Sequence, residues 1–241
     1  MSAPDTLPPE VVRALLQRER LALVGRLLRG VVHNLSGALQ MVRLPVDLLE
    51  MRLAQGQLDD LPARLATIQG GFGRVGHELE LLAGKAAQLG ADAAELLDLA
   101  SVAREQLAFW KADSYFKHQV SLTGNLEAPG PLARVCHADL ALAFNALVAN
   151  AVEALAATKA AGLRITTGVF DGWPGLAVGD DAPGPDPGLA ARLFEAFVGD
   201  KQPPHDGLGL FLAREALKPW RGEVRFVSQP EKTFLLVLPP A

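Results

Sequence analysis

Apolar residues recur with a seven-residue period through most of the first 90 residues, and this repeat constrains the fold more than any other feature. The steps between apolar residues alternate between four and three in residues 24–49 and again in residues 61–89. The first stripe comprises Val24, Leu28, Val31, Leu35, Ala38, Val42, Pro45 and Leu49. This spacing predicts two coiled-coil-like helices, and Gly56 with residues 59–60 indicates the turn between them.

Two such helices joined by a short loop predict an antiparallel hairpin over residues 9–90. Leu23, Leu27, Met41 and Leu48 widen the first stripe beyond what one hairpin can bury. Pairing two hairpins would cover the stripe, so we expect a homodimer with a four-helix bundle. The alternative is a monomer whose hairpin packs on its own C-terminal half.

The composition changes at residues 91–101, and short apolar segments then alternate with helical patterns over residues 93–241. The predicted strands are residues 119–123, 132–136, 163–170, 175–178, 223–227 and 233–238. The predicted helices are residues 139–157, 187–197 and 208–217. The order predicts an α+β domain with helices on one face of a sheet, and the chain therefore has two domains.

Charge and cysteine content exclude several classes of partner and environment. The net charge of -4 and pI of about 5.7 give no general attraction to nucleic acid or an anionic membrane. One cysteine, Cys136, allows no internal disulfide. The most apolar run, residues 140–157, contains Asn145, Asn150 and Glu153, so we expect a buried helix without membrane insertion. The N-terminus lacks a secretory pattern, and we expect a cytoplasmic protein.

Two polar residues stand out in the predicted helix 139–157. Asn150 and Glu153 are one turn apart and share a face of an otherwise apolar helix. An amide and a carboxylate kept on such a face indicate a ligand or metal site. A solvent-facing edge of the helix is the alternative, and it is favoured when these two residues are considered alone.

Two further segments carry polar or glycine residues at the ends of predicted elements. Asp180 and Gly184 follow a strand, where a carboxylate can accept a hydrogen bond from a base amino group and glycine allows close backbone approach. Gly207 and Gly209 open a helix, whose N-terminal N–H groups suit phosphates. Each segment alone is weak evidence, but their order and spacing together predict a nucleotide site.

These motifs resemble those of the histidine kinase branch of the GHKL ATPase superfamily. Residues 150–154 resemble its N-box, residues 180–184 its first glycine box, residues 193–201 its F-box and residues 207–210 its second glycine box. Residues 233–239 resemble its closing strand. The resemblance implies an α/β sandwich of the Bergerat (GHKL) type that binds ATP and Mg²⁺.

The resemblance also implies a role for each matched residue. Asn150 would coordinate Mg²⁺ with Glu153 nearby, and Asp180 would bind the adenine amino group. The remaining implied nucleotide contacts are Gly184 in the first glycine box, Lys201 beside the nucleotide lid, and Gly207 and Gly209 along the phosphates. The chain departs from the usual pattern at Ala146, at Ala182 and in a lid of five residues between Lys201 and Gly207.

A histidine on the first helix resembles the phosphoacceptor of the same family. Residues 29–39 resemble its H-box, and at 100° per residue His33 points almost opposite to the apolar stripe. Gly30 and Gly37 are its helix neighbours and would leave the imidazole uncovered. The alternative is an ordinary surface histidine. Asn34 replaces the acid that commonly follows, and an amide cannot take the imidazole proton.

The leading functional hypothesis is a two-component protein-histidine kinase. It would phosphorylate itself on His33 from ATP and pass the phosphoryl group to an aspartate on a response-regulator receiver domain, with input from a separate sensor protein. The alternative is a histidine phosphotransfer or scaffold protein with a degenerate ATPase-like domain, which Ala146, Ala182, Asn34 and the short lid favour. An anti-sigma-type serine kinase is a third possibility, opposed by the hairpin.

Overall fold

The computed structural model describes residues 7–55, 61–88, 93–111, 113–127, 129–199, 206–228 and 231–240. The helices are α1 (Pro9–Ala54), α2 (Leu61–Gln88), α3 (Leu99–Trp110), α4 (Ser114–Gln119), α5 (His137–Thr158), α6 (Pro187–Ala190) and α7 (Gly209–Leu217), followed by a 3₁₀ turn (Lys218–Trp220). The strands are β1 (Glu95–Asp98), β2 (Ser121–Thr123), β3 (Leu132–Val135), β4 (Gly162–Phe170), β5 (Trp173–Asp180), β6 (Glu223–Val227) and β7 (Thr233–Val237). They divide into one compact unit of Val24–Gly90 and another of Met1–Leu23 with Ala91–Ala241.

The unit Val24–Gly90 contains the two predicted helices, and a glycine lets them approach closely. A Cβ added at Gly71 of α2 would lie 2.5 Å from the Val42 side chain and 3.5 Å from the Ala38 carbonyl on α1. The side chain of Ala38 is buried, so no space for a larger residue exists at this crossing. The predicted turn at residues 56–60 lies outside the described residues.

The described part of this hairpin leaves large apolar side chains in solvent. Phe72 on α2 is 59% exposed. Other exposed apolar residues of the unit are Val32, Leu39, Met41, Leu44, Met51, Leu53, Leu65 and Leu79. Large exposed apolar areas commonly mark interaction surfaces in soluble proteins.

The first turns of α1 belong to the unit that contains Ala91–Ala241. The sequence-based prediction had instead assigned residues 9–90 to a single helical domain. Leu7, Val12, Leu15 and Leu16 pack on a cluster formed by Leu142, Leu208, Phe211, Leu212 and Ala216. Beyond them, the Arg20 guanidinium contacts Asp139 at 2.5 Å. The indole N–H of Trp220 donates to the other oxygen of the Asp139 carboxylate at 2.9 Å. Because both oxygens are bonded, the buried charge of Asp139 is compensated.

The second unit is built on a mixed five-stranded sheet in the order β2-β4-β5-β7-β6. Strands β2 and β4 are parallel, and the other neighbours are antiparallel. Helices α3, α5 and α7 pack together and cover one face of the sheet, and α5 contacts β4, β5 and β7. Strands β1 and β3 form a separate antiparallel pair. The α+β architecture predicted for residues 93–241 is therefore confirmed.

Several regions differ from the predicted elements, including the unpredicted helix α4 (Ser114–Gln119). The sequence-based prediction treated residues 91–101 as a boundary and missed β1 and α3, although Asp98 caps α3 by accepting a hydrogen bond from the Ser101 N–H at 3.1 Å. The predicted helix 187–197 is wrong beyond Ala190, where α6 ends and the chain continues in turns. Phe197 has a φ of +63°, which no α-helical residue adopts.

Helix α5 is the centre of the core, and one polar network fixes its rotation. Asn145 donates to the Gln106 side chain at 2.9 Å and to the Ala141 carbonyl at 2.8 Å. Its carbonyl oxygen accepts from the Trp110 indole at 2.8 Å.

Among the described residues, α5 is the one helix apolar and long enough to cross a membrane, and 61% of its most apolar window is buried. That burial is what a core helix requires.

Candidate functional site

Asp180 is a buried carboxylate at the last residue of β5. Strand β5 is buried along nearly its whole length because it lies between β4 and β7, so its final side chain is enclosed as well. The Asp180 side chain is only 1% exposed. Its Oδ1 accepts the Ala182 N–H at 3.0 Å, whereas no described residue donates to Oδ2. A buried acceptor without a donor is costly and indicates a place for a ligand's donor.

Lys232 supplies the counter-charge to Asp180. Its Nζ lies 2.5 Å from Asp180 Oδ1, and its side chain is 11% exposed. The same ammonium donates to the Pro183 carbonyl at 3.3 Å. Burial raises the pKa of Asp180, while the Lys232 ammonium and the Ala182 N–H act in the opposite direction. The pair therefore ties the loop after β5 to the start of β7.

In the loop after β5, Ala182 occupies the first position at which the GHKL family, which the sequence resembles, usually has glycine. Ala182 does not adopt a positive φ, so the backbone there does not require glycine. Its methyl group is buried in the main hydrophobic core. Gly184, two residues further on, has open space on the side where a Cβ would lie. The Ala182 substitution is thus compatible with the turn that holds Asp180.

The segment 193–199 ends beside the start of α7. The Phe194 ring packs edge-on against Phe234 of β7, with 6.4 Å between ring centroids. Beyond it, a Cβ added at Gly207 would lie 2.9 Å from the backbone of Phe197 and Val198. Gly207 also has a φ of +66°, so glycine is required there for two reasons. The chain on either side of residues 200–205 is therefore held together.

The N-terminus of α7 is accessible to a ligand at its first residue. Gly209 begins the helix and is exposed, and no residue outside its own helix and chain neighbours crowds the position that its Cβ would take. Leu208 at the N-cap position provides no side-chain hydrogen bond. The first N–H groups of a helix are left without intrahelical partners and attract anions.

Asn150 and Glu153 lie on α5, which packs against both α7 and β5. Both residues are half-buried and both have polar contacts. Ala146, one turn earlier, is half-buried against the main core. Within the described residues no cluster of three or more His, Cys, Asp or Glu side chains could hold a metal ion by itself.

Three predicted site residues cannot be placed at the level of side chains. Residues 33 and 34 belong to helix α1 in the unit Val24–Gly90. The side chains of His33 and Asn34 lie outside the described residues, as does Lys201.

One family model matches the part of the chain that contains Asp180 and Gly207. Residues 137–241 match the model of the histidine kinase-, DNA gyrase B- and HSP90-like ATPases. The matched segment covers less than half of the chain. The match includes Asn150, Asp180 and Gly207 but not His33.

Solved structures agree with this fold. The catalytic domain of histidine kinase ThkA is 17% identical, with a TM-score of 0.50, over 61% of this chain and 95% of that one. Full-length ShkA, solved in complex with AMPPNP, is 22% identical, with a TM-score of 0.52, over 97% of this chain. This chain spans 46% of the length of ShkA. No curated protein matches the sequence.

Sequence reasoning identified Asp180 but missed Lys232. The pairing of Gly179 with Thr233 places the next residues of the two antiparallel strands, Asp180 and Lys232, opposite each other. Opposite charges at facing positions attract. A prediction of β5–β7 register, beyond the prediction of the two strands, would have found the pair.

Two glycines at the start of α7 should respond differently to alanine. Gly207→Ala should lower the free energy of unfolding by about 1–2 kcal/mol from left-handed strain alone, with more from displacement of the Phe197 backbone. Gly209→Ala, which introduces the same methyl group into open space in a helix, should be neutral or stabilising by up to about 1 kcal/mol. Urea unfolding monitored by circular dichroism measures both, and equal losses would contradict the geometry.

Proposed function

We propose that the chain is an ATP-dependent protein-histidine kinase of a two-component signalling system. The observation that carries the proposal is the unpaired Asp180 Oδ2 in a histidine kinase-like ATPase domain. In this proposal the domain binds ATP, His33 accepts the phosphoryl group, and a response-regulator aspartate receives it. The matched family and the ordered motifs support the nucleotide step, and the H-box resemblance supports the histidine.

The residues near Asp180 fit the base of an adenine nucleotide. An ionised carboxylate has acceptors only, and Oδ2 lacks a described donor. A 6-amino group supplies the missing N–H, and burial makes the resulting hydrogen bond to a charged group stronger than it would be in water. Gly184, in the loop after Asp180, has open space where a Cβ would lie.

The start of α7 and Asn150 fit the other end of such a ligand. Uncapped N–H groups at Gly209 and the positive end of the helix dipole favour phosphate oxygens. The amide oxygen of Asn150 is a suitable Mg²⁺ ligand, since Mg²⁺ commonly takes one or two protein oxygens together with phosphate oxygens. ATP would supply the transferable phosphoryl group and Mg²⁺ would neutralise its charge.

His33 would act as the nucleophile. One imidazole nitrogen would form the N–P bond as the bond between the γ-phosphorus and the bridging oxygen of ADP breaks, and the other nitrogen would release its proton. Asn34 can orient the ring but cannot take that proton, so water or another residue would take it. Most of the rate enhancement would come from positioning and charge neutralisation.

The helical hairpin would place His33 within a homodimer. The exposed Phe72 and the other apolar residues of the unit Val24–Gly90 supply a surface for a second copy. We propose that the dimer is a four-helix bundle, that it works in the cytoplasm, and that a separate sensor protein provides its input.

Nucleotide binding should depend on Asp180 and not on its neighbour. Asp180→Asn should weaken binding of ATP with Mg²⁺ by about 1.5–3 kcal/mol, roughly 10–150-fold, because a hydrogen bond to a charged group is lost. Asp181→Asn removes the same charge from an exposed side chain and should leave affinity within about threefold. Calorimetry on the full chain measures both, and a wild type that binds no nucleotide would contradict the proposal.

Phosphorylation should occur at His33. With γ-labelled ATP, the wild type should acquire a label that is stable to alkali and labile to acid, as expected of an N–P bond. His33→Ala should abolish the label while nucleotide affinity stays unchanged. His77→Ala, at an exposed position of α2, is the matched control and should label normally. A wild type that never labels from ATP but accepts phosphate from a phosphorylated receiver would be a phosphotransfer protein instead.

The dimer should depend on the exposed face of α2. Phe72→Asp should shift the full chain from dimer to monomer in light scattering, because a buried unpaired charge is costly. Phe197→Asp makes the same change at a residue of similar exposure, 63%, in the other unit, and should remain dimeric. A monomeric wild type at micromolar concentration would refute the dimer.

A further inference from the structure

We infer that Lys232 is a positioning residue that makes the nucleotide site selective for a 6-aminopurine over a 6-oxopurine. The inference rests on the proposed nucleotide-binding function and adds a specificity determinant to it. Its basis is the contact between the Lys232 ammonium and only one oxygen of the Asp180 carboxylate.

The two oxygens of Asp180 have different surroundings. Oδ1 receives the Lys232 ammonium at 2.5 Å and the Ala182 N–H at 3.0 Å, so its acceptor capacity is used within the protein. Oδ2 receives no hydrogen bond from a described residue. The ammonium also donates to the Pro183 carbonyl, which fixes the carboxylate against the loop. The geometry therefore fixes Oδ1 within the protein and leaves Oδ2 as a buried acceptor without a donor among the described residues.

The charge of Lys232 determines what that oxygen can do. Burial disfavours the ionised carboxylate, and the adjacent Asp181 acts in the same direction, whereas Lys232 favours ionisation. An ionised Oδ2 can only accept a hydrogen bond, so it binds an amino group and repels the carbonyl oxygen of a 6-oxopurine. A protonated carboxyl group could instead donate to that carbonyl. Lys232 thus keeps Asp180 in the form that selects an amino group.

The position of Lys232 supports a role in the site beyond stability. It faces Asp180 where the β5–β7 pairing ends, at the edge of the core. Both charges lie on the helix-covered face, in line with Val178 and Phe234, which are paired apolar core residues. Because burying an ion pair seldom increases stability over apolar residues of similar size, stability alone does not account for this pair.

Affinities of the full-length protein for ATP and inosine triphosphate, measured by calorimetry with Mg²⁺, test the inference. The two ligands differ only in the purine ring, which carries a 6-amino group in the first and a 6-oxo group in the second. We expect the wild type to prefer ATP by about tenfold or more at every pH from mildly acid to mildly alkaline. Lys232→Arg keeps the cation and should keep that preference.

Removing the charge should change both the preference and its pH dependence. In Lys232→Met the preference for ATP should fall by about tenfold at mildly acid pH and recover as the pH rises and Asp180 ionises. Lys232→Gln, which retains a donor without the charge, should behave in the same way and provides a second variant if Lys232→Met does not fold.

The outcomes separate this inference from the proposed function. If the wild type binds neither nucleotide, the proposed function and the inference both fail. If it prefers ATP and the neutral variants keep the wild-type preference at every pH, Lys232 is not a specificity determinant, although nucleotide binding stands. If Lys232 had a purely structural role, its removal would weaken binding of both nucleotides equally. The ratio of the two affinities would then be unchanged, which would also refute the inference.

Discussion

The ion pair between Asp180 and Lys232 imposes the constraint around which the candidate site is organised. A carboxylate that is almost fully buried must be compensated or protonated. Here the compensation comes from the far end of the chain, because β7 lies beside β5 in the sheet. The pair therefore depends on the pairing of β5 with β7, and it connects the loop after β5 with the start of β7.

Helices α5 and α7 carry the other polar groups of the candidate site. Helix α5 packs against the sheet and against α7, and Asn145 fixes its rotation through hydrogen bonds to α3 residues Gln106 and Trp110. With Asn145 turned inward, Asn150 lies half-buried further along the helix. Gly207 then starts α7 in close contact with the backbone of Phe197. A carboxylate, an amide and a helix N-terminus are what a nucleotide with bound Mg²⁺ would require.

Strong local patterns made much of this domain predictable from sequence. Strand β6 coincides with the predicted residues 223–227, and α5 and α7 differ from prediction by one or two residues at their ends. Helix α3 was missed because the change of composition near residue 95 was interpreted as a linker. The helix beyond Ala190 was over-predicted because its apolar residues pack on β7 without a helical backbone, as Phe194 does on Phe234.

In the candidate site, too, residues in short sequence motifs could be predicted, whereas residues defined by contacts distant in sequence could not. Asp180 and Gly207 could be found because each belongs to a short motif, whereas Lys232 is defined only by strand register. The effect of Ala182 could not be predicted either, since it depends on a φ value and on core space around its methyl group. The side chains of His33 and Asn34 lie outside the described residues, so their roles remain predictions from sequence.

We propose that Asp180 Oδ2 accepts a hydrogen bond from the base of an adenine nucleotide. A crystal structure of the full chain with a non-hydrolysable ATP analogue and Mg²⁺ tests it most directly. We expect the 6-amino nitrogen within about 2.7–3.2 Å of Asp180 Oδ2. The Lys232 ammonium should still contact Oδ1, and the phosphates should lie at the start of α7. A base bound elsewhere, or Lys232 moved onto Oδ2 in the bound state, would contradict it.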